Sequence, residues 1–262
     1  MKPRAKKKLG QHFLEAVWAD KVVAGIDPKP DDRFVEIGPG PGALTLRLAP
    51  RVAHLTAIDV DAALIDALRP RVTDNVTLVH ADFLDVDLAT LDIERPFRVA
   101  GNLPYNISSP IVFALLRAHR TAGGITDAAL MMQREVADRM TASPGSGDYG
   151  VLSILVQLHA DVRRVLALPP GAFRPAPKVH SAVLSLRFRA PAVAVADDPA
   201  FEAMVRTMFM QRRKTLLNAL RPFAAARNRD AGRALADAGI DPSRRPETLH
   251  LAELARLADR FG

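Results

Sequence analysis

Three features of this 262-residue chain predict an α/β fold, with a mainly parallel sheet covered on both faces and a small all-α domain at the C-terminus. Short apolar runs alternate with helical patterns through the first half of the chain. The runs end at glycine, acidic or amide residues. Residues 200–262 then carry helical patterns only.

The elements follow in order. A lead-in of about 30 residues ends in a helix that closes near Ile26. Strands are expected at 33–37, 55–58, 76–80 and 97–100, with helices at 43–49 and 61–72 between them. Residues 110–119 read as a helix, because Pro110 is at an early position where its missing N–H costs nothing. Residues 128–132 read as another strand. Ser143-Pro144-Gly145-Ser146-Gly147 is a loop. The apolar run 151–158 and the alternating run 181–188 are expected to complete the sheet. Proline-rich residues 191–199 read as a linker. The expected domains are therefore 1–190 and 191–262. In the second, Phe201, Met204, Val205 and Met208 share one helical face, and Leu216, Leu217 and Leu220 follow.

Composition narrows the function. The chain has no cysteine, which excludes disulfides, thiolate chemistry and cysteine-based zinc sites. Its seven histidines show no paired ligand spacing, so no metal is expected. No apolar run is long enough to span a bilayer, and the N-terminus lacks the apolar core of a secretion signal. A cytoplasmic protein with no membrane partner is expected. The net charge is +7, and Lys2, Arg4, Lys6, Lys7 and Lys8 form a basic arm at the N-terminus. Further clusters are Arg163-Arg164, Arg212-Arg213-Lys214 and Arg244-Arg245. These read either as solvated surface or as contacts to nucleic acid phosphates.

Glu36-Ile37-Gly38-Pro39-Gly40-Pro41-Gly42 follows the first strand of the alternation and precedes a helix. Glycines there let the backbone turn tightly and let a ligand approach the main chain. Asp59, 21 residues after Gly38, is placed to accept from a ribose. Asp82, after the next strand, can accept from an adenine amino group. Gly38, Gly40 and Ala43 also satisfy a dinucleotide fingerprint, so a nicotinamide cofactor remains an alternative. Against it, Pro39 and Pro41 remove amide donors from a loop that would cradle pyrophosphate. Glu36 also suits a cation better than a phosphate. S-adenosyl-L-methionine has a ribose, an adenine, an ammonium and a sulfonium but no phosphate, and is the favoured cofactor.

Asn102-Leu103-Pro104-Tyr105 closes the strand after that. The Asn102 amide oxygen is an acceptor with two lone pairs. Pro104 biases Leu103 away from helix, so the Leu103 carbonyl can leave the ladder. Tyr105 adds a flat face. Two acceptors beside a ring suit the exocyclic amino group of a planar base, although the same tetrapeptide could be an ordinary proline turn.

Taken in order, several segments resemble the ribosomal RNA adenine dimethylases, and within them the small-subunit enzymes. These segments are Leu9-Gly10-Gln11-His12-Phe13-Leu14, the loop from Glu36 to Gly42, Asp82-Phe83-Leu84, and Asn102-Leu103-Pro104-Tyr105-Asn106-Ile107-Ser108-Ser109-Pro110. Later come Pro169 to Val179, with Phe173 and Pro177-Lys178, and then Gln211-Arg212-Arg213-Lys214-Thr215. The sequence departs from the family pattern at His12, often Asn, at Asp59, often Glu, and at His180, often Asp. The resemblance implies a Rossmann-like S-adenosylmethionine-dependent methyltransferase sheet in 1–190 and a helical RNA-binding domain in 191–262. It implies cofactor contacts at His12, Leu14, Gly38, Asp59, Asp82 and Asn102, with Glu36 and Gly40 in the same loop. It implies target-base contacts at Asn102, Leu103, Pro104 and Tyr105, with Phe173 closing the second face. Arg212, Arg213 and Lys214 are expected to meet RNA. The implied reaction is N6-dimethylation of two adjacent adenosines near the 3′ end of small-subunit (16S) rRNA, by a monomer acting on an immature subunit. The alternatives are a large-subunit adenine methylase of the antibiotic-resistance type, or a non-catalytic RNA-assembly factor on the same fold.

Overall fold

The computed structural model describes Lys6 and residues 10–261. Lys2, Arg4, Lys7, Lys8 and Leu9 lie outside the described residues. The chain forms two compact units. One runs to Ala137 and resumes over Asp161–Phe188, and the other contains Asp138–Ala160 and the chain from Arg189 onward.

The first unit opens with β1 (Phe13–Leu14) and α1 (Ala16–Ile26), whose buried Ala19, Val22, Val23 and Ile26 recur at helical spacing. Next come β2 (Arg33–Ile37), α2 (Thr45–Leu48), β3 (His54–Asp59), α3 (Ala62–Leu68), β4 (Val76–His80), β5 (Phe97–Asn102), α4 (Ser108–Ala122) and β6 (Ile125–Gln133). After α5 (Arg134–Thr141) and α6 (Val151–His159), the sheet is completed by β7 (Ala160–Leu168) and β9 (Ser181–Phe188). Between them β8 (Phe173–Arg174) pairs antiparallel with β1. The strand order is β4-β3-β2-β5-β6-β9-β7. The first five strands are parallel and β9 is antiparallel to β6. Central strands such as β2 are buried on both faces, which explains their continuous apolar reading.

The strands expected at 33–37, 76–80 and 181–188 are present with those limits. The run 151–158 is not a strand. It forms α6, in which Ile154, Leu155, Val156 and Leu158 are all buried. A short helix buried all round and a central strand share the same continuous apolar pattern, so periodicity could not separate them. The missing strand is β7, which lies at the sheet edge.

The second unit joins α6 and its flanks to α7 (Asp198–Met210), α8 (Leu216–Ala225), α9 (Ala231–Asp237) and α10 (Leu251–Ala258). Residues 138–160, expected in the first domain, therefore pack with the C-terminal helices. The Gln157 amide donates to the Met140 and Ala142 carbonyls, both at 2.9 Å. Buried Tyr149 donates to the Leu249 carbonyl at 3.0 Å, and the Arg189 guanidinium donates to the Gln157 and Leu158 carbonyls. The linker ends at Asp197, which caps α7 by accepting from the Ala200 N–H at 2.9 Å.

Candidate active site at the carboxyl ends of the parallel strands

From β2 the chain winds outward to β3 and β4, then returns to place β5 on the other side of β2. This reversal opens a crevice beyond the carboxyl ends of β2 and β5, where ligands of open parallel sheets collect. A cavity of about 240 Å³ lies there. Its lining includes His12, Leu14, Glu36, Gly38, Gly40, Asp59, Asp82, Asn102, Leu103, Pro104 and Tyr105. The loop after β2 turns at Gly38 and Gly40 with φ of +67° and +55°, a left-handed backbone that favours glycine.

Asp59 ends β3. Its Oδ2 accepts from the Gly40 N–H at 3.1 Å and its Oδ1 from the Asp61 N–H at 2.9 Å. Burial pushes its carboxyl up, and the two amides pull against that. Two bonds leave a carboxylate with further acceptor positions. Asp82 accepts from the Leu84 N–H at 3.0 Å, capping the short turn after β4. Glu36 is buried in β2, and burial pushes its carboxyl up to about 7, with the Asp59 charge adding to the effect. Its Oε2 meets no hydrogen-bond partner among the described residues.

Asn102 ends β5, and its Nδ2 donates to the His12 carbonyl at 2.7 Å. That bond fixes which way the amide faces and leaves Oδ1 as an acceptor. The Leu103 N–H donates to the Met131 carbonyl at 3.0 Å, which anchors the next peptide to β6. The Tyr105 hydroxyl shares a 2.7 Å hydrogen bond with Ser181 Oγ. One face of its ring meets the His12 imidazole, with centroids 5.2 Å apart and planes 24° apart. His12 Nδ1–H donates to the Pro175 carbonyl at 2.7 Å, which fixes the orientation of the ring.

One expectation needs correction. Phe173 does not line the cavity. It is 0% exposed and belongs to the core with Phe34, Leu48 and Val183, because pairing of β8 with β1 turns its side chain inward. Arg212 is partly exposed. Its guanidinium donates to the Ser146 carbonyl at 3.2 Å and lies 3.9 Å from Glu247, within the helical unit. Arg213 and Lys214 are exposed. Arg244 is likewise held by Glu253 at 2.5 Å. Sequence reasoning passed over Ser181 and Asp61. Asp61 had a signal, because it stands two residues after Asp59 at the start of a helical pattern, where an N-cap belongs.

The cavity suits a ligand with a ribose, an adenine and positive charge. Glu36, Asp59 and Asp82 line it, at or just past the carboxyl-terminal parts of β2, β3 and β4. The loop's two prolines offer no N–H to a phosphate. Among the described residues, no group of three histidine or acidic side chains is arranged to hold a metal ion.

The ribosomal RNA adenine dimethylase family model matches residues 2–261. This chain belongs to that family. Among its relatives is the "Ribosomal RNA small subunit methyltransferase A" of Geobacter metallireducens, 45% identical over 97% of this chain and 94% of that protein. The protein of the same name from Syntrophotalea carbinolica is 47% identical, over 98% and 97% of the two chains. A solved dimethyladenosine transferase from Plasmodium falciparum superposes with a TM-score of 0.79 at 25% identity, covering 94% of this chain and 96% of that one. The 23S rRNA methyltransferase ErmE superposes with a TM-score of 0.67 at 27% identity, covering 95% and 99%. The fold is thus the Rossmann-like methyltransferase sheet of this family, joined by a C-terminal helical region. None of the helices formed by described residues is long and apolar enough to cross a membrane.

Proposed function

We propose that this chain is an S-adenosylmethionine-dependent rRNA adenine dimethyltransferase. It methylates the N6 amino groups of two adjacent adenosines near the 3′ end of small-subunit (16S) rRNA, within an immature subunit. The observation that carries this reading is the Asn102 amide, whose Nδ2 is committed to the His12 carbonyl so that its oxygen is the group left for a substrate N–H. The relatives named for the small subunit support the choice of RNA.

When bound, S-adenosylmethionine supplies a methyl group made electrophilic by its sulfonium. The chain's own residues do the rest. Asp59 accepts from the ribose hydroxyls and Asp82 from the adenine amino group. Glu36 offers its unpartnered oxygen to the positive end, and Gly38, Gly40, His12 and Leu14 supply wall and main chain. An adenine N6 lone pair is delocalised into its ring, so positioning matters more than a strong base. Asn102 Oδ1 and the Leu103 carbonyl accept the two N6 hydrogens, which favours a pyramidal nitrogen and stabilises the positive charge that develops on it. The methylated nitrogen is strongly acidic and loses its proton to solvent. Pro104 fixes the turn, and Tyr105 stacks the base on the face away from His12. The base must be unstacked or single-stranded to enter. Exposed Arg213 and Lys214 in the helical unit meet phosphates. The protein works as a monomer in the cytoplasm, where subunits are assembled.

Methyl incorporation into immature small subunits, large subunits and naked RNA tests the reading. Transfer into small-subunit particles alone is expected, with Asn102→Ala abolishing it while cofactor binding falls less. Transfer into large-subunit RNA would favour the antibiotic-resistance type. No transfer into any of the three would favour an assembly factor.

A further inference from the structure

Asp61 does more than start a helix. Its residue is 4% exposed, and its Oδ1 caps α3 by accepting from the Ala63 N–H at 3.2 Å. The same carboxylate takes two groups from the N-terminal segment: Lys6 Nζ at 2.8 Å on Oδ1, and Gln11 Nε2 at 3.4 Å on Oδ2. Gln11 Oε1 in turn accepts from the Lys6 N–H at 2.8 Å, so three residues close a ring. Burial works against ionisation of Asp61, yet the Lys6 and Gln11 bonds hold its carboxyl below the usual range. Lys6, read from the sequence as part of a basic arm, is thereby committed to an internal carboxylate.

The residue after Gln11 is His12, whose carbonyl receives the Asn102 amide. Further along, the Glu15 N–H donates to the Ala172 carbonyl at 2.9 Å. The segment is therefore tied on both sides of His12, by Asp61 before it and by the β8 region after it. We propose that Asp61 is a positioning residue for methyl transfer: by gripping Gln11 and Lys6 it holds the His12 carbonyl where that carbonyl sets the orientation of Asn102. The inference rests on the reading of Asn102 as the acceptor of the target N–H. If the His12 carbonyl moves away, the Asn102 amide can turn over and present its NH₂ to the incoming amino group. Donor then faces donor, and the nitrogen is no longer held toward the methyl group.

Variants of the full chain separate this role from helix capping. Asp61→Ser keeps a cap acceptor but cannot reach Gln11 or Lys6. Asp61→Asn keeps the cap and the acceptor for Lys6 but sets an NH₂ against the Gln11 amide donor. Lys6→Met combined with Gln11→Met leaves α3 untouched. With small-subunit particles as substrate, Asp61→Ser and the Lys6/Gln11 double variant should each lower kcat about tenfold or more, with KM for S-adenosylmethionine raised less. Combining them should add little, because they break the same tie. Asp61→Asn, which keeps only the Lys6 half of the tie, should fall between Asp61→Ser and wild type. A kcat for Asp61→Ser within twofold of wild type would overturn the proposal, as would a loss in Asp61→Ser that the double variant does not share. Hydrogen exchange at the His12–Leu14 amides of the free protein reads the tie without any catalysis. It should quicken about tenfold in Asp61→Ser, and unchanged exchange would also overturn the proposal. A wild-type protein that transfers no methyl group would sink the functional reading instead, with the exchange result still deciding the tie.

Discussion

Glu36 is a carboxylate in surroundings that oppose its charge. It is buried, one oxygen lacks a partner among the described residues, and its carboxyl is pushed from 4.5 up to about 7. The stability it contributes is therefore complete below its ordinary value and is lost as pH rises through about 7. In the free protein, Glu36→Gln should be the more stable form at pH 8, by at most about 3 kcal/mol, with the gap closing toward pH 4.5. Denaturant titrations at both pH values measure this. A cationic ligand reverses the preference, because it favours the ionised form. Calorimetry should show wild-type affinity for S-adenosylmethionine rising from pH 5 to 8, with a flatter profile in Glu36→Gln. Equal affinity of the two proteins at pH 8 would show that the charge has no part in binding. Tyr105 poses a different question, because its hydroxyl and one ring face are already engaged by Ser181 and His12. A base stacked on the remaining face is worth roughly 1–3 kcal/mol. Tyr105→Ala should then lower kcat/KM for RNA by about ten- to a hundredfold, while the cofactor Kd changes little. Equal losses in the two measurements would make Tyr105 a support for His12 rather than a plate for the base.

At the scale of elements, the site depends on how closely β2 and β5 approach. Gly101 pairs with Ile37, and a Cβ on Gly101 would lie 2.9 Å from the Ile37 carbonyl oxygen and 3.1 Å from Leu103 Cδ2. Gly101→Ala must move one of these strands at the position next to Asn102. A cost of about 1–3 kcal/mol is expected from such overpacking. Scanning calorimetry should register it as a Tm lowered by about 2–4 °C for each kcal/mol, accompanied by loss of methyl transfer. An unchanged Tm would mean that the two strands have room to spare. These central strands were also the legible part of the fold. The limits of β2, β4 and β9 follow from apolar runs bounded by turn residues, a signal carried by neighbours in the chain. α6 reads as a strand in the sequence because burial around the helix erases its periodicity. β7 carries no strand signal for the opposite reason: as an edge strand it mixes Asp161, Arg163 and Arg164 with apolar residues and shows no clean alternation.

For the whole molecule, the net charge of +7 says little until the cations are sorted by what they already hold. Lys6 is spent on Asp61, Arg244 on Glu253, and Arg212 on the Ser146 carbonyl, while Arg213 and Lys214 are exposed. If those two meet phosphates, replacing both with alanine should flatten the plot of log affinity against log salt by about 1.4, the release expected for two contacts to single-stranded RNA. Filter binding across a salt series checks this, and an unchanged slope would leave both as solvated surface. The cofactor loop, the acidic strand ends, the Asn102–Tyr105 turn and the family were all readable along the chain, because each depends on residue types at short, fixed spacing. Folding alone decided that Phe173 joins the core, that residues 138–160 join the helical unit, and that the Asn102 amide faces one way. The bond that orients that amide joins residues 90 positions apart. No local pattern encodes such a contact, since it exists only once β1 and β5 have been brought to the same crevice.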